Sequence, residues 1–323
     1  MKIAVVGATG MVGEVLLSLL PKSIFAGDEI HAFASAASAG AHIPYNDGEL
    51  AVSELKHGSL QGFDLAFFAI GDNLSREYVP EAVEAGCRVV DKSNAFRMKE
   101  GVPLIVAGVN DTALGNSKLA ANPNCTTIGF VHAITPLMQF GIEEVAVATY
   151  QSLSGAGKDT VDGFLGYAAD TLAEKPGYYS PDLAAVFQVN PAVDRLDGDE
   201  YLEETKLRLE TQKIIGLDAD CVFPTATRVA VIIGHSMSVH VRLRDEVSEG
   251  AVREALASNP TLNVLPLGEV PWSGWAVKLP DKVTVGRIRV RPEKRVVDFY
   301  GTSDNLHIGA ALNGLRIAEL MFK

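Results

Sequence analysis

Three glycines near the start of the chain constrain its fold more than any other feature. Gly7, Gly10 and Gly13 have the spacing G-x-x-G-x-x-G and join an apolar run, Ile3–Val6, to a segment of helical periodicity. Glycine at such a turn lets the backbone approach a pyrophosphate, whose charge the helix N-terminus stabilises. A plain strand-to-helix turn is the alternative, and the spacing leaves the nucleotide open. The residues expected to bind a dinucleotide are Gly7, Thr9, Gly10, Met11, Val12 and Gly13.

The first third of the chain alternates between strand-like and helical patterns. Fully apolar strands that alternate with helices are typical of a parallel sheet covered on both faces. The last twenty residues have the apolar spacing of one amphipathic helix, which Asp304 would cap. We therefore predict an α/β Rossmann-type dinucleotide-binding domain over residues 1–124, completed by residues 304–323. Its later strands are expected at Ile30–Ala34, Leu65–Ile70, Val89–Asp91 and Leu104–Val106.

A different pattern begins after Asn124. The segment Cys125–Gln139 is helical, and Pro136 should kink or end the helix. Several later runs alternate apolar and polar residues, which favours a mainly antiparallel sheet with one face free for helices or a second subunit. We predict an α+β catalytic and dimerisation domain over residues 125–303. The expected strands are Val145–Gln151, Val229–Ile233, Ser238–Leu243, Val283–Val290 and Arg295–Tyr300, and the expected helices are Thr160–Ala173, Tyr201–Ile215 and Ser248–Ser258.

The composition excludes several classes of protein. Hydrophobic residues make up 47% of the 323 residues and charged residues 21%, which is typical of a globular protein and not of a disordered one. The net charge of −12 disfavours nucleic acid and anionic membranes as partners. No apolar run is long enough for a membrane span, and the opening run is too short for a signal peptide. Three widely spaced cysteines argue against a disulfide scaffold and a Cys-rich zinc site, so we expect no metal and a cytoplasmic location.

One of the three cysteines has the surroundings of a nucleophile. Asn124 is a good helix N-cap and would place Cys125 in the first helical turn. The unpaired N–H groups and the dipole of that turn favour the thiolate over the thiol. Cys87 and Cys221 lie among apolar residues, and we interpret them as small buried side chains.

A thiolate nucleophile needs a proton partner, and His235 is the best candidate. It follows the predicted strand Val229–Ile233 and Gly234, where a side chain would project from a sheet edge. A surface or structural role suffices for His31, His42, His57 and His132.

Other polar groups are ambiguous when each is taken alone. The loop from Gln151 to Gly157 is able to approach a nicotinamide or a substrate, or is simply a strand-to-helix connection. Glu203 and Lys206 share one helical face, which is usually solvated surface charge. Arg97 has no distinguishing local pattern.

The residues after the second strand bear on the choice of nicotinamide cofactor. Phe33–Gly40 contains no acid, which would repel a 2′-phosphate, and no Arg, which would attract one. The hydroxyl groups of Ser35 and Ser38 are able to donate hydrogen bonds to a phosphate, although an ordinary serine-rich loop is the competing interpretation.

Seven stretches of the chain resemble the aspartate-semialdehyde dehydrogenase family, in that family's order and over nearly the whole length. They are GATGMVG, NAFRM around Arg97, ANPNCTTIG, YQSLSGAGK, the E-x-x-K of Glu203 and Lys206, the R-x6-H-S from Arg228, and SDNLHIGAALN. The resemblance implies NADPH-dependent reduction of L-aspartyl-4-phosphate to L-aspartate-4-semialdehyde. That reaction serves the biosynthesis of lysine, diaminopimelate, threonine, methionine and isoleucine. It also implies a homodimer or a tetramer.

The same resemblance assigns roles to individual residues. Cys125 would attack the acyl carbon, expel inorganic phosphate and form a thioester that hydride then reduces. His235 would move protons, and Gln151 would orient the substrate. The other implied contacts are Arg228 for the α-carboxylate, Glu203 for the α-ammonium group, Arg97 and Lys206 for the phosphate, and Ser35, Ser38, Ser154, Gly155 and Asn305 for the cofactor.

Several alternatives remain open at this point. The family usually carries Arg where this chain has Ala37, so NADP is expected and NAD stays possible. An N-acetyl-γ-glutamyl-phosphate reductase would share the chemistry, but its substrate has no ammonium group for Glu203, and its cysteine motif reads N-P-G-C. Glyceraldehyde-3-phosphate dehydrogenase shares only the Cys-Thr-Thr. An acyl-CoA reductase and a non-catalytic nucleotide-binding paralogue are further candidates, although the paralogue should have lost Cys125 or His235.

Overall fold

The computed structural model describes all 323 residues, which form two compact units. The first unit comprises Met1–Asn124, Lys213–Ile215 and His307–Lys323, and the second comprises Cys125–Gln212 and Gly216–Leu306. None of the helices combines the length and apolar character that crossing a membrane requires. The helices are α1 (Met11–Leu19), α2 (Asp72–Glu84), α3 (Cys125–Ile134), α4 (Lys158–Ala173), α5 (Pro181–Val186), α6 (Leu202–Ile215), α7 (Glu249–Ala257), α8 (Gly274–Lys278) and α9 (Leu312–Met321).

The first unit is built on a seven-stranded sheet. Its strands are β1 (Lys2–Val6), β2 (Glu29–Ala34), β3 (His42–Tyr45), β4 (Gly48–Glu54), β5 (Leu65–Phe68), β6 (Arg88–Asp91) and β7 (Leu119–Ala121). They lie in the order β3-β4-β2-β1-β5-β6-β7, and all neighbours are parallel except β3 and β4. The strand order reverses at β1, the position where doubly wound sheets bind their ligands. The predicted Rossmann-type domain is therefore confirmed.

The strands of the first unit are uniformly apolar because they are buried in its core. Ile3 and Val5 of β1 are fully buried, and they share one hydrophobic cluster with Leu16 of α1 and with Leu315 and Ile317 of α9. Burial of each such side chain contributes about 1.5–3 kcal/mol to stability. The C-terminal helix thus belongs to the packing of the N-terminal sheet.

The glycine loop joins β1 to α1 by close backbone packing. Gly7 has a φ of +86°, and a Cβ at Gly13 would overlap the carbonyl oxygen of Gly7. Gly10 occupies the N-cap position of α1, where no side chain makes a capping hydrogen bond. The first turn of α1 therefore presents main-chain N–H groups that no capping side chain satisfies.

The second unit contains a second seven-stranded sheet and a short hairpin. Its strands are β8 (Ile142–Gln151), β9 (Val189–Asn190), β10 (Leu196–Asp197), β11 (Glu200–Tyr201), β12 (Val222–Val229), β13 (His235–Leu243), β14 (Leu262–Val264), β15 (Val283–Arg291) and β16 (Val296–Ser303). The large sheet has the order β14-β15-β16-β13-β8-β12-β9, while β10 and β11 form the hairpin. Four of its six neighbouring pairs are antiparallel, and the pairs β14–β15 and β8–β12 are parallel. The sheet is mixed, and the prediction that it is mainly antiparallel is confirmed.

The two faces of the second sheet differ as the sequence predicts. Val145 and Val147 of β8 are buried, whereas Tyr150 is 37% exposed and Phe223 of β12 is 53% exposed. The helix α3 is buried along nearly its whole length, which agrees with the absence of Asp, Glu, Lys and Arg from its sequence. It contacts β15 and β16, whereas alternate residues of β8 and β13, such as Ala146 and His240, are exposed within the chain.

Two of the predicted strands are wrong. Val229–Ile233 is not a strand: β12 ends at Val229, because the carbonyls of Val231 and Ile232 accept hydrogen bonds from the N–H groups of Leu153 and Ser154 instead of a strand partner. Leu104–Val106 forms only an isolated bridge between Leu104 and Ala121.

The C-terminal segment also departs from a single helix. It begins with a π-helical turn, His307–Ala311, and continues as α9. The N-cap position of α9 is Ala311, and Asp304 lies before the π-helical turn, where its carboxylate accepts a 2.8 Å hydrogen bond from the N–H group of Leu306. The helix α3 ends at Ile134, just before Pro136, as predicted. The next residues, Thr135–Phe140, form a 3₁₀ helix.

The packing of the glycine loop leads to a stability prediction. Gly13→Ala should destabilise the protein by about 1–3 kcal/mol, because its Cβ has no room beside the main chain of Gly7 and Ala8. The matched control is Gly163→Ala in α4, where a Cβ would meet open space and alanine favours the helix by about 0.5–1 kcal/mol. Thermal unfolding midpoints measure both changes. A Gly13→Ala variant as stable as the control would contradict the close packing.

Candidate active site

Four strands of the second unit bring polar residues to one edge of their sheet. The parallel strands β8 and β12 both end there, so that Gln151 lies beside Arg228. β13 runs antiparallel to β8 and therefore begins at the same edge with His235. β16 ends opposite His235 at Ser303, and Asn305 follows two residues later. The mixed sheet thus collects residues that are far apart in the sequence.

Cys125 opens α3 and lies next to His235. Its Sγ is 3.3 Å from Nε2 of His235, and the thiol is partly buried. The first turn of a helix favours a thiolate, and an N–H donor at hydrogen-bond distance stabilises it further. Gly234 makes this position of His235 possible, since its φ is +98° and a Cβ there would be 2.9 Å from the Cβ of Ala276.

The other ring nitrogen of His235 is held by the loop after β8. The main-chain N–H of Ser152 donates to Nδ1 of His235 at 3.1 Å, and the Ser152 Oγ lies at the same distance from Nδ1. Asn305 joins this network: its Oδ1 accepts from the Gly234 N–H at 3.0 Å and from Ser152 Oγ at 3.0 Å, while its Nδ2 donates to Ser154 Oγ at 2.9 Å. Asn305 and Ser154, expected at the cofactor, therefore also hold the loop that orients His235.

The surroundings of His235 keep its imidazole neutral. The side chain is 3% exposed, and burial together with the nearby positive charge of Arg228 lowers the pKa of His235 from 6.5 to about 3. Arg228 itself donates from Nη1 to the carbonyl oxygen of Ser152 at 2.7 Å. Gly155 covers both side chains, because a Cβ at this position would be 3.0 Å from Arg228 Nη1 and from His235 Cε1.

Gln151 and Glu203 are buried polar groups in the same unit. Gln151 is 1% exposed, and its Nε2 donates to the Oγ1 of Thr149 at 3.3 Å. Glu203 is 7% exposed and accepts from Thr126, the residue after Cys125, at 3.5 Å. A buried carboxylate at this place is suited to a cationic group, since burying a charge is costly unless it is paired.

Lys206 has a partner that the sequence does not indicate. Its Nζ is 3.4 Å from Glu203 Oε2 and 2.6 Å from Asp194 Oδ2. Partial burial raises the pKa of Asp194, and the hydrogen bond from Lys206 more than offsets this, so that the carboxyl titrates below its usual range. Asp194 lies in an irregular loop with a φ of +70°, where no periodic pattern predicts a contact with α6.

The remaining predicted residues belong to the first unit. Arg97 is 6% exposed, and its guanidinium donates to the carbonyl of Asn122 at 3.0 Å and to that of Lys92 at 2.8 Å. Ser35 is exposed and Ser38 half-buried, after the end of β2. The glycine loop and the uncapped start of α1 fit a pyrophosphate, and no carboxylate follows β2 to repel a 2′-phosphate.

Comparisons with known proteins cover both units. A family model described as "Semialdehyde dehydrogenase, NAD binding domain" matches residues 2–117, and one described as "Semialdehyde dehydrogenase, dimerisation domain" matches residues 134–308. The chain is 36% identical to an aspartate-semialdehyde dehydrogenase of Legionella pneumophila, over 99% of this chain and 95% of that relative. It is 34% identical to one of Bacillus subtilis, over 99% and 97%.

The chain belongs to the aspartate-semialdehyde dehydrogenase family. Solved structures agree: aspartate semialdehyde dehydrogenase II of Vibrio cholerae, complexed with ASA, is 33% identical with a TM-score of 0.91, over 99% of this chain and 98% of that chain. The aspartate semialdehyde dehydrogenase of Candida albicans, with NADP, is 26% identical with a TM-score of 0.74, over the same shares.

Membership in the aspartate-semialdehyde dehydrogenase family confirms the resemblance found in the sequence. The chain is an oxidoreductase of amino-acid biosynthesis with a NAD(P)-binding domain and a dimerisation domain. Cys125, His235, Gln151, Arg228, Glu203, Lys206, Ser154, Gly155 and Asn305 belong to the second unit, and Arg97, the glycine loop, Ser35 and Ser38 belong to the first.

The buried neutral imidazole makes stability depend on pH. Between pH 6.5 and about 3, the unfolded chain binds a proton that the folded His235 does not, so stability falls as the pH decreases through this window. We expect the unfolding midpoint in urea to fall less between about pH 7.5 and about pH 5 in His235→Gln than in the wild type. An equal or larger fall in the variant would show that His235 is not held neutral by the fold.

Proposed function

We propose that this member of the aspartate-semialdehyde dehydrogenase family reduces L-aspartyl-4-phosphate to L-aspartate-4-semialdehyde with NADPH, through a thioester on Cys125. The reaction would supply lysine, diaminopimelate, threonine, methionine and isoleucine biosynthesis from aspartate. The observation that carries the proposal is the 3.3 Å approach of Cys125 Sγ to His235 Nε2 at the start of a helix. A cysteine with a histidine at hydrogen-bond distance is the arrangement that a thiolate nucleophile requires.

The first step transfers the acyl group to sulfur. The Cys125 thiolate forms a C–S bond to the acyl carbon, and the C–O bond to the phosphate group breaks with both electrons on the leaving oxygen. The products are a thioester and inorganic phosphate. His235 assists at the sulfur, and Gln151 orients the acyl group at the same sheet edge.

The second step reduces the thioester to the aldehyde. A bound nicotinamide would supply the hydride, and the glycine loop with the first turn of α1 would hold its pyrophosphate. The tetrahedral intermediate then collapses, the C–S bond breaks, and the sulfur leaves as the thiolate again. Gly155 packs against His235 and Arg228, and Asn305 holds the loop in place through its hydrogen bond to Ser154.

Charged side chains account for the polar ends of the substrate. We assign the α-carboxylate to Arg228 and the α-ammonium group to the buried Glu203, which argues against an N-acetylated substrate. The phosphate is assigned to Lys206 and Arg97. These contacts would concentrate positive charge locally on a protein whose net charge is −12.

Two properties of the assembly and the cofactor complete the proposal. The open face of the second sheet, with Tyr150 and Phe223 exposed, and the match to a dimerisation domain support a homodimer, alone or within a tetramer. NADP is the proposed cofactor, supported by the absence of an acid after β2, while Ala37 lacks the positive charge that would favour NADP over NAD.

The decisive assay is phosphate-dependent oxidation of L-aspartate semialdehyde with NADP+ or NAD+. Cys125→Ala should lower turnover by at least about 10³-fold, because no other group forms the thioester. Cys221→Ala, which removes a half-buried thiol outside the proposed machinery, should keep wild-type turnover. Activity that survives in Cys125→Ala, or that does not need phosphate, would contradict the proposal. Turnover with acyl-CoA alone would favour the acyl-CoA reductase.

The ion pair of Lys206 with Asp194 predicts competition for phosphate. Asp194→Asn should lower the KM for phosphate several-fold and leave the KM for the aldehyde unchanged, because the incoming dianion no longer competes with a carboxylate. The control Asp220→Asn removes the same charge at a side chain that is 94% exposed. A higher KM for phosphate in Asp194→Asn, with no change in the control, would show that Asp194 positions Lys206 instead.

A further inference from the structure

We propose that Asp91 is a positioning residue for Arg97, because it fixes the two main-chain carbonyl groups that bind the guanidinium. Asp91, Ser93 and Arg97 form the pattern D-x-S-x-x-x-R, which begins at the last residue of β6 and which Arg97 taken alone does not reveal. All three belong to the first unit. The proposal rests on the proposed function for its meaning, since Arg97 is assigned there to the phosphate, but its structural content concerns the resting protein.

Asp91 carries a carboxylate with no exposed surface. Its side chain is 0% exposed, and burial raises the pKa of the carboxyl group. The hydroxyl of Ser93 donates to Oδ2 at 2.6 Å and that of Ser75 donates to Oδ1 at 2.8 Å, and both bonds, like the positive charge of Arg97, favour the ionised form. A buried carboxylate is costly unless its oxygens are satisfied, so both serine hydroxyls are held to Asp91.

The two carbonyl groups that bind the Arg97 guanidinium are both tied to the main chain of Asp91. Nη2 of Arg97 donates to the carbonyl oxygen of Lys92 at 2.8 Å, and Lys92 is the residue directly after Asp91. Nε donates to the carbonyl oxygen of Asn122 at 3.0 Å, and the N–H of Asn122 in turn donates to the carbonyl oxygen of Asp91 at 2.7 Å. A displacement of Asp91 would therefore move both acceptors.

The side chain of Asp91 fixes the loop that carries Arg97. An ionised carboxylate is able only to accept, so the hydroxyl of Ser93 donates its proton to Asp91, and Ser93 Oγ in turn accepts from the N–H of Ala95 at 3.1 Å. Ser75 lies in α2, so the second carboxylate oxygen ties the same loop to that helix. The chain is thus held two residues before Arg97 as well as at the carbonyls that bind its side chain.

The sheet itself does not need the Asp91 side chain. β6 pairs in parallel with β5 on one side and β7 on the other, and these pairs are made by main-chain groups. A substitution at Asp91 therefore leaves the ladder hydrogen bonds in place and removes the side-chain bonds that hold the loop. We expect its first effect at the guanidinium of Arg97.

Hydrogen exchange at the Nε–H of Arg97 measures its position without turnover. The side chain is buried, so this ¹H–¹⁵N signal should exchange slowly, and Arg97→Lys assigns it. In Asp91→Ala, we expect exchange to be faster by about tenfold or more, because the two carbonyls are no longer fixed. Asp91→Asn keeps an oxygen for Ser93, and its amide nitrogen is able to donate to Ser75, so exchange should stay within about threefold of the wild type. The control is Asp64→Asn, at an exposed carboxylate of the same unit, which should change nothing.

Three outcomes of the exchange measurement would overturn the proposal. One is wild-type protection in a folded Asp91→Ala variant. Another is an Asp91→Asn variant that exchanges as fast as the alanine variant, since hydrogen bonds would then not be what positions Arg97. If Asp91→Ala does not fold, Ser93→Ala decides, because it keeps the carboxylate and breaks its link to Ala95. It should speed exchange by about threefold or more, and unchanged exchange is the third outcome.

Steady-state kinetics separates this positioning role from the proposed function. Asp91→Ala should raise the KM for phosphate by about tenfold or more and leave the KM for NADP+ within about twofold, because only the phosphate is assigned to Arg97. Equal increases in both constants, with exchange at Arg97 unchanged, would show a general structural role and overturn the proposal. Faster exchange with an unchanged KM for phosphate would support the positioning by Asp91 and contradict the assignment of the phosphate to Arg97.

Discussion

The register of four strands is the constraint on which the candidate site depends. β8 and β12 run parallel and end at one edge with Gln151 and Arg228, and the antiparallel β13 begins there with His235. A shift of one residue in any pairing would turn these side chains to the other face of the sheet. The backbone hydrogen bonds that hold the sheet together therefore also specify the site. A uniformly antiparallel sheet would place the ends of β8 and β12 at opposite edges and separate Gln151 from Arg228.

The loop after β8 fixes the surroundings of one nitrogen atom, Nδ1 of His235. Its N–H and carbonyl groups pair with the chain before β13 and with Arg228, which leaves the Ser152 N–H directed at His235. A main-chain donor holds its direction more strictly than a side chain does, because it has no rotamers to occupy. Substitution of the Ser152 side chain leaves this main-chain N–H donor in place. The irregular backbone at residues 230–233 follows from the same requirement, since a continuous β12 would have used those carbonyls in the sheet.

Local patterns predict much of this molecule, and contacts between distant segments account for what they miss. The glycine loop, the buried strand β1 and the placement of Cys125 at the start of α3 follow from short stretches of sequence. The apolar run at Val229–Ile233 wrongly predicts a strand. The N–H groups that bond to its carbonyls belong to Leu153 and Ser154, 78 residues earlier. Asp194 carries no local signal for its contact with Lys206. Hydrophobic periodicity describes one strand at a time, so it does not predict that β8 and β12 pair in parallel.

Charge pairing separates the proposed anion-binding cations into two kinds. The guanidinium group of Arg228 donates to the main-chain carbonyl of Ser152, which orients it without cancelling its charge. The ammonium group of Lys206 instead faces two carboxylates, Asp194 and Glu203. An arginine held by carbonyls keeps a permanent positive potential, whereas the potential at Lys206 is offset until a stronger anion competes with Asp194. In the proposed reaction, Asp194 would therefore reduce the standing positive potential at Lys206 and so weaken the retention of the phosphate product.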